Sequence, residues 1–449
     1  MTEGIDVKSY PSLVFKNPDE VKSMIFEPVD AKAREQASEI LLDVRKDGET
    51  ALLKHAVRLG DLKNDSDKLI YNRDDLKKAY DELPKEMQQV LSRTAERIKC
   101  FAKAQRSSIT DTTIDIPGGE AGHFVEPVEV AGCYAPGGRY PLPSSVLMTV
   151  ITARVAGVKK VWTASPRPQP ATLAAAYIAE ADGLLAIGGA QAIGAMAYGI
   201  NIPTCDVIVG PGNKWVTAAK SIVSGICAID MLAGPSEVLV IADDTCDPKI
   251  VAADLLAQAE HDTEARPILV CTSQNVADMV NTEIQKQLST LPTAATAIEA
   301  VKKGFVCVTS DIDKAIQISD VVAPEHLEIQ TEKPMEIAKK CNHYGAVFVG
   351  TVSAEVLGDY GAGPNHVLPT SGTARYTGGL SVFTFLRVRT WMNIDNKARA
   401  QRMVEDAVAL AREEGLEAHA RAAEFRLNSY TSSSSISNGT ESPKKKSRK

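Results

Sequence analysis

Four short stretches of this chain carry side chains suited to one metal-assisted reaction: Gln258-Ala-Glu-His261, Glu325-His326, Gly358-Asp359 and Glu414-Gly-Leu-Glu-Ala-His419. Seven histidines occur in 449 residues, and three of them lie in these stretches. A fourth, His366, follows Asp359 by seven positions. Imidazole nitrogens and carboxylate or carboxamide oxygens are the groups that a divalent metal or a proton transfer uses.

Each stretch has its own chemistry. Asp247 to His261 reads as a helix, with Asp247 as N-cap, Pro248 at the first position and a buried stripe of Val251, Leu255 and Leu256. Gln258 and His261 are three apart, so they stand side by side near the helix end, where an amide oxygen and an imidazole can share a metal. A helical histidine taken alone is more often a packed one. In Ala323-Pro-Glu325-His326-Leu-Glu-Ile, Pro324 pins the backbone before an adjacent acid and imidazole. Histidine is the natural general base and a neighbouring carboxylate can activate water; the plain alternative is a surface pair. Glycines at 358, 361 and 363 imply a tight path around a ligand. Asp359 there offers the anionic ligand that balances a zinc ion, and His366 either binds substrate or holds the loop. Glu414 and His419 are five apart on a C-terminal helix, about 140° around it. They must therefore reach a site from two sides, or at a helix entry.

The elements that position these groups follow from periodicity. Residues 30–110 read as helical, with apolar residues at threes and fours in Ala31 to Arg45 and Arg73 to Lys103. From about Glu126 short apolar strands alternate with glycine turns and Ala-rich helices. The first series has strands at 129–134, 160–164, 184–187 and 206–209, with a helix from Val146 to Gly157 capped by Ser144 or Ser145. Pro170 to Ala181, Gln191 to Tyr198 and the residues after Asn213 supply its other helices. The second series has strands at 236–242, 267–271, 305–308 and 345–349. Such alternation means parallel sheets covered by helices, and two modules suggest a bilobal enzyme with a cleft. The chain turns helical again from Asn396 to Arg426. Residues 431–449 are Ser-rich and then basic, too polar to pack, and read as a disordered tail.

Composition narrows the class. The length predicts two or more domains. A hydrophobic content of 44%, a charged content of 24% and a net charge of −7 read as a globular protein without a general nucleic-acid surface. No apolar leader follows Met1 and no run is long enough to cross a membrane, so a cytoplasmic location is expected. The eight cysteines form no CxxC pair and read as buried free thiols. Gly210-Pro-Gly-Asn213, Gly188-Gly-Ala-Gln191 and Tyr134-Ala-Pro-Gly-Gly138 lie near strand C-termini, where open α/β sheets bind ligands. They point to a nucleotide as readily as to plain turns, and neither G-x-G-x-x-G nor a Walker A motif is present.

Together these words resemble the histidinol dehydrogenase family. Ile229-Asp-Met-Leu-Ala-Gly-Pro-Ser-Glu-Val-Leu-Val-Ile-Ala242 looks like the family signature. It stands with GPGNKWV at 210–216, QAEHD at 258–262, APEHLE at 323–328 and GDYGAGPNHVLPT at 358–370. The likeness runs from about residue 10 to 428. It implies an α/β fold of two Rossmann-like parallel-sheet modules with helical terminal segments, an aldehyde/histidinol dehydrogenase-like architecture. The expected division is an arm at 1–28, a main domain of 29–133 with 235–377, an NAD-binding domain at 134–234, a C-terminal helical segment at 378–430 and a tail at 431–449.

The resemblance further implies an NAD-dependent zinc enzyme that oxidises L-histidinol to L-histidine through the aldehyde. One Zn2+ per subunit would sit on Gln258, His261, Asp359 and His419, orienting the substrate. His326 would be the base and Glu325 would activate water for the second oxidation. Ser236, His366 and Glu414 match substrate-contacting positions, joined by the metal ligands themselves. Tyr134, Gln191 and Asn213 match cofactor positions. The family is a homodimer in which Glu414 and His419 arrive from the partner, which would resolve their awkward helical spacing. Gly138 to Ser145 and Ala374 to Gly379 look partly like the related sulfopropanediol dehydrogenases. An enzyme of another small polar alcohol, such as 2,3-dihydroxypropane-1-sulfonate, is therefore the alternative; more distant are a zinc hydrolase and a silent metal-binding protein.

Overall fold

A computed structural model describes residues 7–24, 27–137 and 141–428. The readings made for Arg139 and Tyr140 and for the 431–449 tail lie outside them. The chain divides into two compact units: the described residues up to Ser108 together with Pro127–Leu386, and Ile109–Glu126 together with those from Arg387 onward.

The larger unit holds two six-stranded sheets. In the first, Val130–Tyr134 is central; Lys160–Ala164 and Gly183–Leu185 follow on one side, and Val207–Val209 and Ala228–Ile229 on the other. Ile70–Asn72 closes one edge as an antiparallel strand. The second sheet repeats this order in parallel. Glu237–Ala242 is central, Arg266–Cys271 and Phe305–Val308 lie to one side, and His326–Gln330 and Ala346–Val349 to the other; Val14–Phe15 adds an edge. Crossovers through helices join the parallel neighbours, which cannot be connected by a tight turn.

Both faces of each sheet are covered, so the central strands are apolar throughout instead of alternating with polar residues. In Glu237–Ala242, Val238, Val240 and Ala242 enter the core beneath the helices Pro248–Ala259, Gln274–Leu288 and Ala294–Val301. Leu239 and Ile241 enter the opposite one, beneath Ile312–Val322. The period of two residues in a strand produces that split.

Strand pairing corrects the expected grouping of 29–133 with 235–377. Ile70–Asn72 and Val130–Tyr134 belong to the first sheet, and the helices of 31–107 pack on its two faces. Their apolar stripes say that they pack on something, not on what. The long helix expected over Arg73 to Lys103 is two, Arg73–Glu82 and Lys85–Ser107, parted at Pro84, whose ring removes a helical hydrogen bond. The helix Pro143–Ala156 starts on its proline with Leu142 at the cap position, so Ser144 and Ser145 lie inside the helix. Gly157 ends it at φ 101°, as read.

The smaller unit has a three-stranded sheet of Thr112–Ile116, Gly119–Pro127 and Leu386–Ile394, followed by the helices Lys397–Glu413 and Glu417–Asn428. Phe124 and Trp391 stack at 5.7 Å between centroids. The hairpin and the long strand were not read from the sequence; their residues are mostly exposed, so no buried alternation marks them. Among the described residues no helix is long and apolar enough to cross a membrane. All eight cysteines are free, with only Cys100 exposed and Cys246 half-buried.

Candidate active site

Glu325 and His326 stand at the amino end of the strand His326–Gln330, paired with Glu237–Ala242 in a register that sets His326 beside Val238. Alternation along the strand turns His326, Glu328 and Gln330 to one face, under the helix Pro248–Ala259. There Gln330 Nε2 donates to Asp254 at 3.4 Å. His326 lies one helical turn further along, beside Gln258. Helix and strand are antiparallel, so the C-terminal end of the helix and the amino end of the strand meet. That meeting brings Gln258 and His261 to His326.

Three of the site groups are tightly held. His326 Nδ1–H donates to the Glu237 carbonyl at 3.0 Å, which fixes the ring and leaves Nε2, buried and without a hydrogen-bond partner, as its free basic atom. Glu325 Oε2 accepts from the Glu237 backbone N–H at 2.9 Å. The third is Gln258, whose amide end faces Glu355 Oε1 and Glu237 O, both at 3.2 Å, and His326 Nδ1 at 3.0 Å. The Glu237 carbonyl can accept from both the amide and His326 Nδ1–H, and Glu355, ionised when a cation is bound, accepts the other amide hydrogen, so the amide nitrogen belongs on that side and the oxygen on the other.

Asp359 comes from the short helix Glu355–Tyr360. Glu355 was not read from the sequence, yet it lies one turn before Asp359 on the same face. Ligand atoms of His261, Glu355 and Asp359 all lie within 4.8 Å of one another. The signal was present: two carboxylates four apart repel on a helix unless a cation joins them. Neither carboxylate pairs with a lysine or arginine among the described residues; Glu355 faces His326 Nδ1 at 3.7 Å and Asp359 faces His366 Nδ1 at 3.9 Å. His366 Nδ1 also lies 3.1 Å from the Asp359 carbonyl, and its Nε2 3.3 Å from the Ser145 hydroxyl. A cavity of about 370 Å³ opens beside these groups, lined by His326, Phe348, Leu357, Asp359, Asn365 and His366.

Burial sets the charge states. It holds Glu325 and Glu355 well above the usual carboxylate range, and neighbouring carboxylates push the same way. Glu237 rises to about 7 through burial, opposed by Arg266. His326 falls to about 4, again through burial, so its ring is neutral at physiological pH. Crowded buried acids and the unpartnered Glu355 Oε2 are what a divalent cation would satisfy. The nitrogen and oxygen donors of Gln258, His261 and Asp359 suit zinc.

The glycine words lie at the carboxyl edge of the other sheet. Tyr134 ends the central strand, buried, with its hydroxyl accepting from Gly189 N–H at 3.2 Å. Gln191, in the helix after Gly183–Leu185, donates through Nε2 to Asp61 at 2.9 Å. Asn213 follows Val207–Val209 and caps the next helix, accepting from Trp215 and Val216 N–H at 3.1 and 3.2 Å. Gly210 has φ 116°, and a Cβ there would meet the Tyr134 carbonyl at 2.0 Å. The strand order reverses between Val130–Tyr134 and Val207–Val209, where such sheets bind dinucleotides.

The signature Ile229–Ala242 joins the two places. Asp230 forms a buried ion pair with Lys220 and accepts from Gly210 N–H at 2.7 Å. Thr217 Oγ1 donates to Ala233 O at 2.5 Å. Ser236, half-buried, then leads into Glu237–Ala242, where the Glu237 backbone bonds both Glu325 and His326. Glu414 and His419 belong to the smaller unit and are exposed. They are not on one helix: Glu414 is the C-cap of Lys397–Glu413 and His419 lies in Glu417–Asn428, with Gly415 at φ 74° between. The 140° argument does not apply across that break.

The comparisons with known proteins agree with the geometry. The histidinol dehydrogenase family model matches residues 27–427. A histidinol dehydrogenase of Thermus thermophilus is 44% identical over 78% of this chain and 85% of its own length. One from Neisseria meningitidis is 42% identical over 87% of this chain and 92% of its own. The crystal structure of histidinol dehydrogenase from Elizabethkingia anophelis superposes with a TM-score of 0.86 at 34% identity, covering 94% of this chain and 99% of that one. With the motifs in order and the fold matched along nearly its whole length, the chain belongs to the histidinol dehydrogenase family.

Proposed function

We propose that the protein oxidises L-histidinol to L-histidine with NAD in two steps through L-histidinal. The observation that supports this best is the Glu325–His326 pair at the head of one strand, with the free His326 Nε2 beside a buried carboxylate cluster. Gln258, His261 and Asp359, completed by His419, would hold one zinc ion; bound there, it supplies positive charge that orients the amino and imidazole nitrogens of the substrate. Tyr134, Gln191 and Asn213 would hold NAD, which when bound supplies a hydride acceptor.

His326 Nε2 takes the hydroxyl proton of the alcohol as hydride leaves its carbon. The Glu237 carbonyl holds Nδ1–H, so the ring keeps the tautomer needed for this. Glu325 takes a proton from the water that adds to the aldehyde, and the resulting hydrate loses the second hydride to give the acid. The Glu237 backbone N–H keeps the Glu325 carboxyl beside the imidazole, 3.9 Å from Nδ1. Ser236, His366 and Glu414 position the substrate. Glu414 and His419 come from a second copy, so the active enzyme is a homodimer with shared sites. Its place is the cytoplasm.

The test is NADH formation by zinc-loaded protein given L-histidinol. Two NADH per substrate consumed, lost on chelation and restored by zinc, is the expected result. Glu325→Gln should still form the first NADH while stalling the second. Turnover with 2,3-dihydroxypropane-1-sulfonate and none with L-histidinol would replace the substrate assignment.

A further inference from the structure

The Gln258 amide is a weak metal ligand unless something decides which end faces the ion. Its two ends are nearly equal in shape, and only the oxygen can bind a cation. Glu355 Oε1 lies 3.2 Å from the inward-facing amide nitrogen, and Glu237 O completes the pair of acceptors. The carboxylate is 1% exposed. It is itself located by its backbone N–H, which donates to Glu328 Oε1 at 2.9 Å, and Glu328 is wholly buried. A chain of contacts therefore runs from the strand His326–Gln330, through Glu328 and the start of the helix Glu355–Tyr360, to the amide. The same helix delivers Asp359 one turn later.

We propose that Glu355 is a positioning residue that turns the Gln258 amide oxygen toward the metal, by accepting from the amide N–H₂ on the opposite side. This rests on the zinc reading above. Partners that orient a metal ligand in this way typically carry a 10- to 100-fold effect on metal affinity. The oxygen Oε2 of Glu355, buried and unbonded, also leaves room for direct ligation, and the test separates the two roles.

The measurement is zinc affinity of the metal-free full-length protein, by competition with a chromophoric chelator, with the absorption spectrum of the cobalt-loaded protein alongside. Glu355→Ala should weaken zinc about 10- to 100-fold and leave the cobalt ligand-field bands in place. Glu355→Gln keeps an acceptor of the same shape and should recover most of the affinity. In a Gln258→Ala background, Glu355→Ala should cost nothing further, since there is no amide left to orient. This cycle also covers the case in which one single variant folds poorly, and NAD binding reports on the fold. Unchanged affinity in Glu355→Ala, additive losses in the double variant, a Gln variant as weak as the Ala one, or altered cobalt bands would each overturn the proposal. Wild-type protein that takes up no zinc would instead defeat the zinc reading itself.

Discussion

The two sheets of the larger unit have the same strand order and are used at opposite edges. The sheet built on Val130–Tyr134 offers its glycine loops at the carboxyl edge, where helices begin. The sheet built on Glu237–Ala242 gathers Glu325, His326, Gln258 and Asp359 at its amino edge, where helices end. The means of support differ accordingly. The carboxyl edge is fastened by a buried Lys220–Asp230 ion pair. Its counterpart gathers Glu325, Glu328, Glu355 and Asp359, buried acids that pair with no lysine or arginine among the described residues, beside a single Glu237–Arg266 pair. One region is charge-paired as folded, while the other crowds buried acids together. Equal topology thus carries opposite electrostatic designs, and the catalytic groups meet where one sheet's strands end and the other's begin.

The sharpest separation of the two regions should come from His326→Ala. Loss of the base is expected to lower the first oxidation about 10²- to 10⁴-fold while zinc content and NAD affinity hold. Zinc lost together with activity would move His326 into the metal site.

Lys220→Met tests the other region. It leaves Asp230 buried without its cation, which should cost about 3–5 kcal/mol in urea unfolding and raise the KM for NAD more than it lowers zinc affinity. A loss below about 1 kcal/mol would mean that the pair does not fasten the Gly210 loop.

The acid-rich region should also show in pH dependence. Burial first, then Asp254, raise Glu328 from 4.5 to about 8. Between these values the folded chain keeps a proton that the unfolded chain releases. The contribution is therefore full below pH 4.5 and is lost as pH rises through about 8. Metal-free protein should weaken over that window, by at most about 1.4 kcal/mol per pH unit for one proton, and Glu328→Gln should flatten the slope. A slope that survives the substitution would assign it to another group.

The smallest effect belongs to Asn213→Ala. Removing this N-cap should cost about 1 kcal/mol in stability and weaken NAD without changing zinc affinity; an altered zinc affinity would show that the two edges are coupled.

Much of this was legible in the residues. The strand and helix alternation over 129–271, the cap at Asp247, the chemistry-bearing words and the glycine turns at strand ends all follow from local periodicity and side-chain type. Glu355 escaped because a carboxylate in a short helix reads as solvated until its partners are known, although its spacing from Asp359 carried a signal. Ser144 and Ser145 suit a cap because serine favours that position, but Pro143 starts the helix before them. The strand His326–Gln330 was hidden by its own function, since His326, Glu328 and Gln330 put polar groups on a face that should be apolar.

Local sequence was enough for which groups do chemistry and for the parallel α/β class, because residue type and period are properties of neighbours along the chain. Where those groups meet was settled by long-range pairing. The choice of sheet for residues 70–134, the approach of Gln258 to His326 across a helix–strand contact, and the burial that holds His326 at about 4 and Glu237 at about 7 depend on residues tens to hundreds of positions apart. Desolvation is a property of the packed assembly, so no window of the sequence contains it.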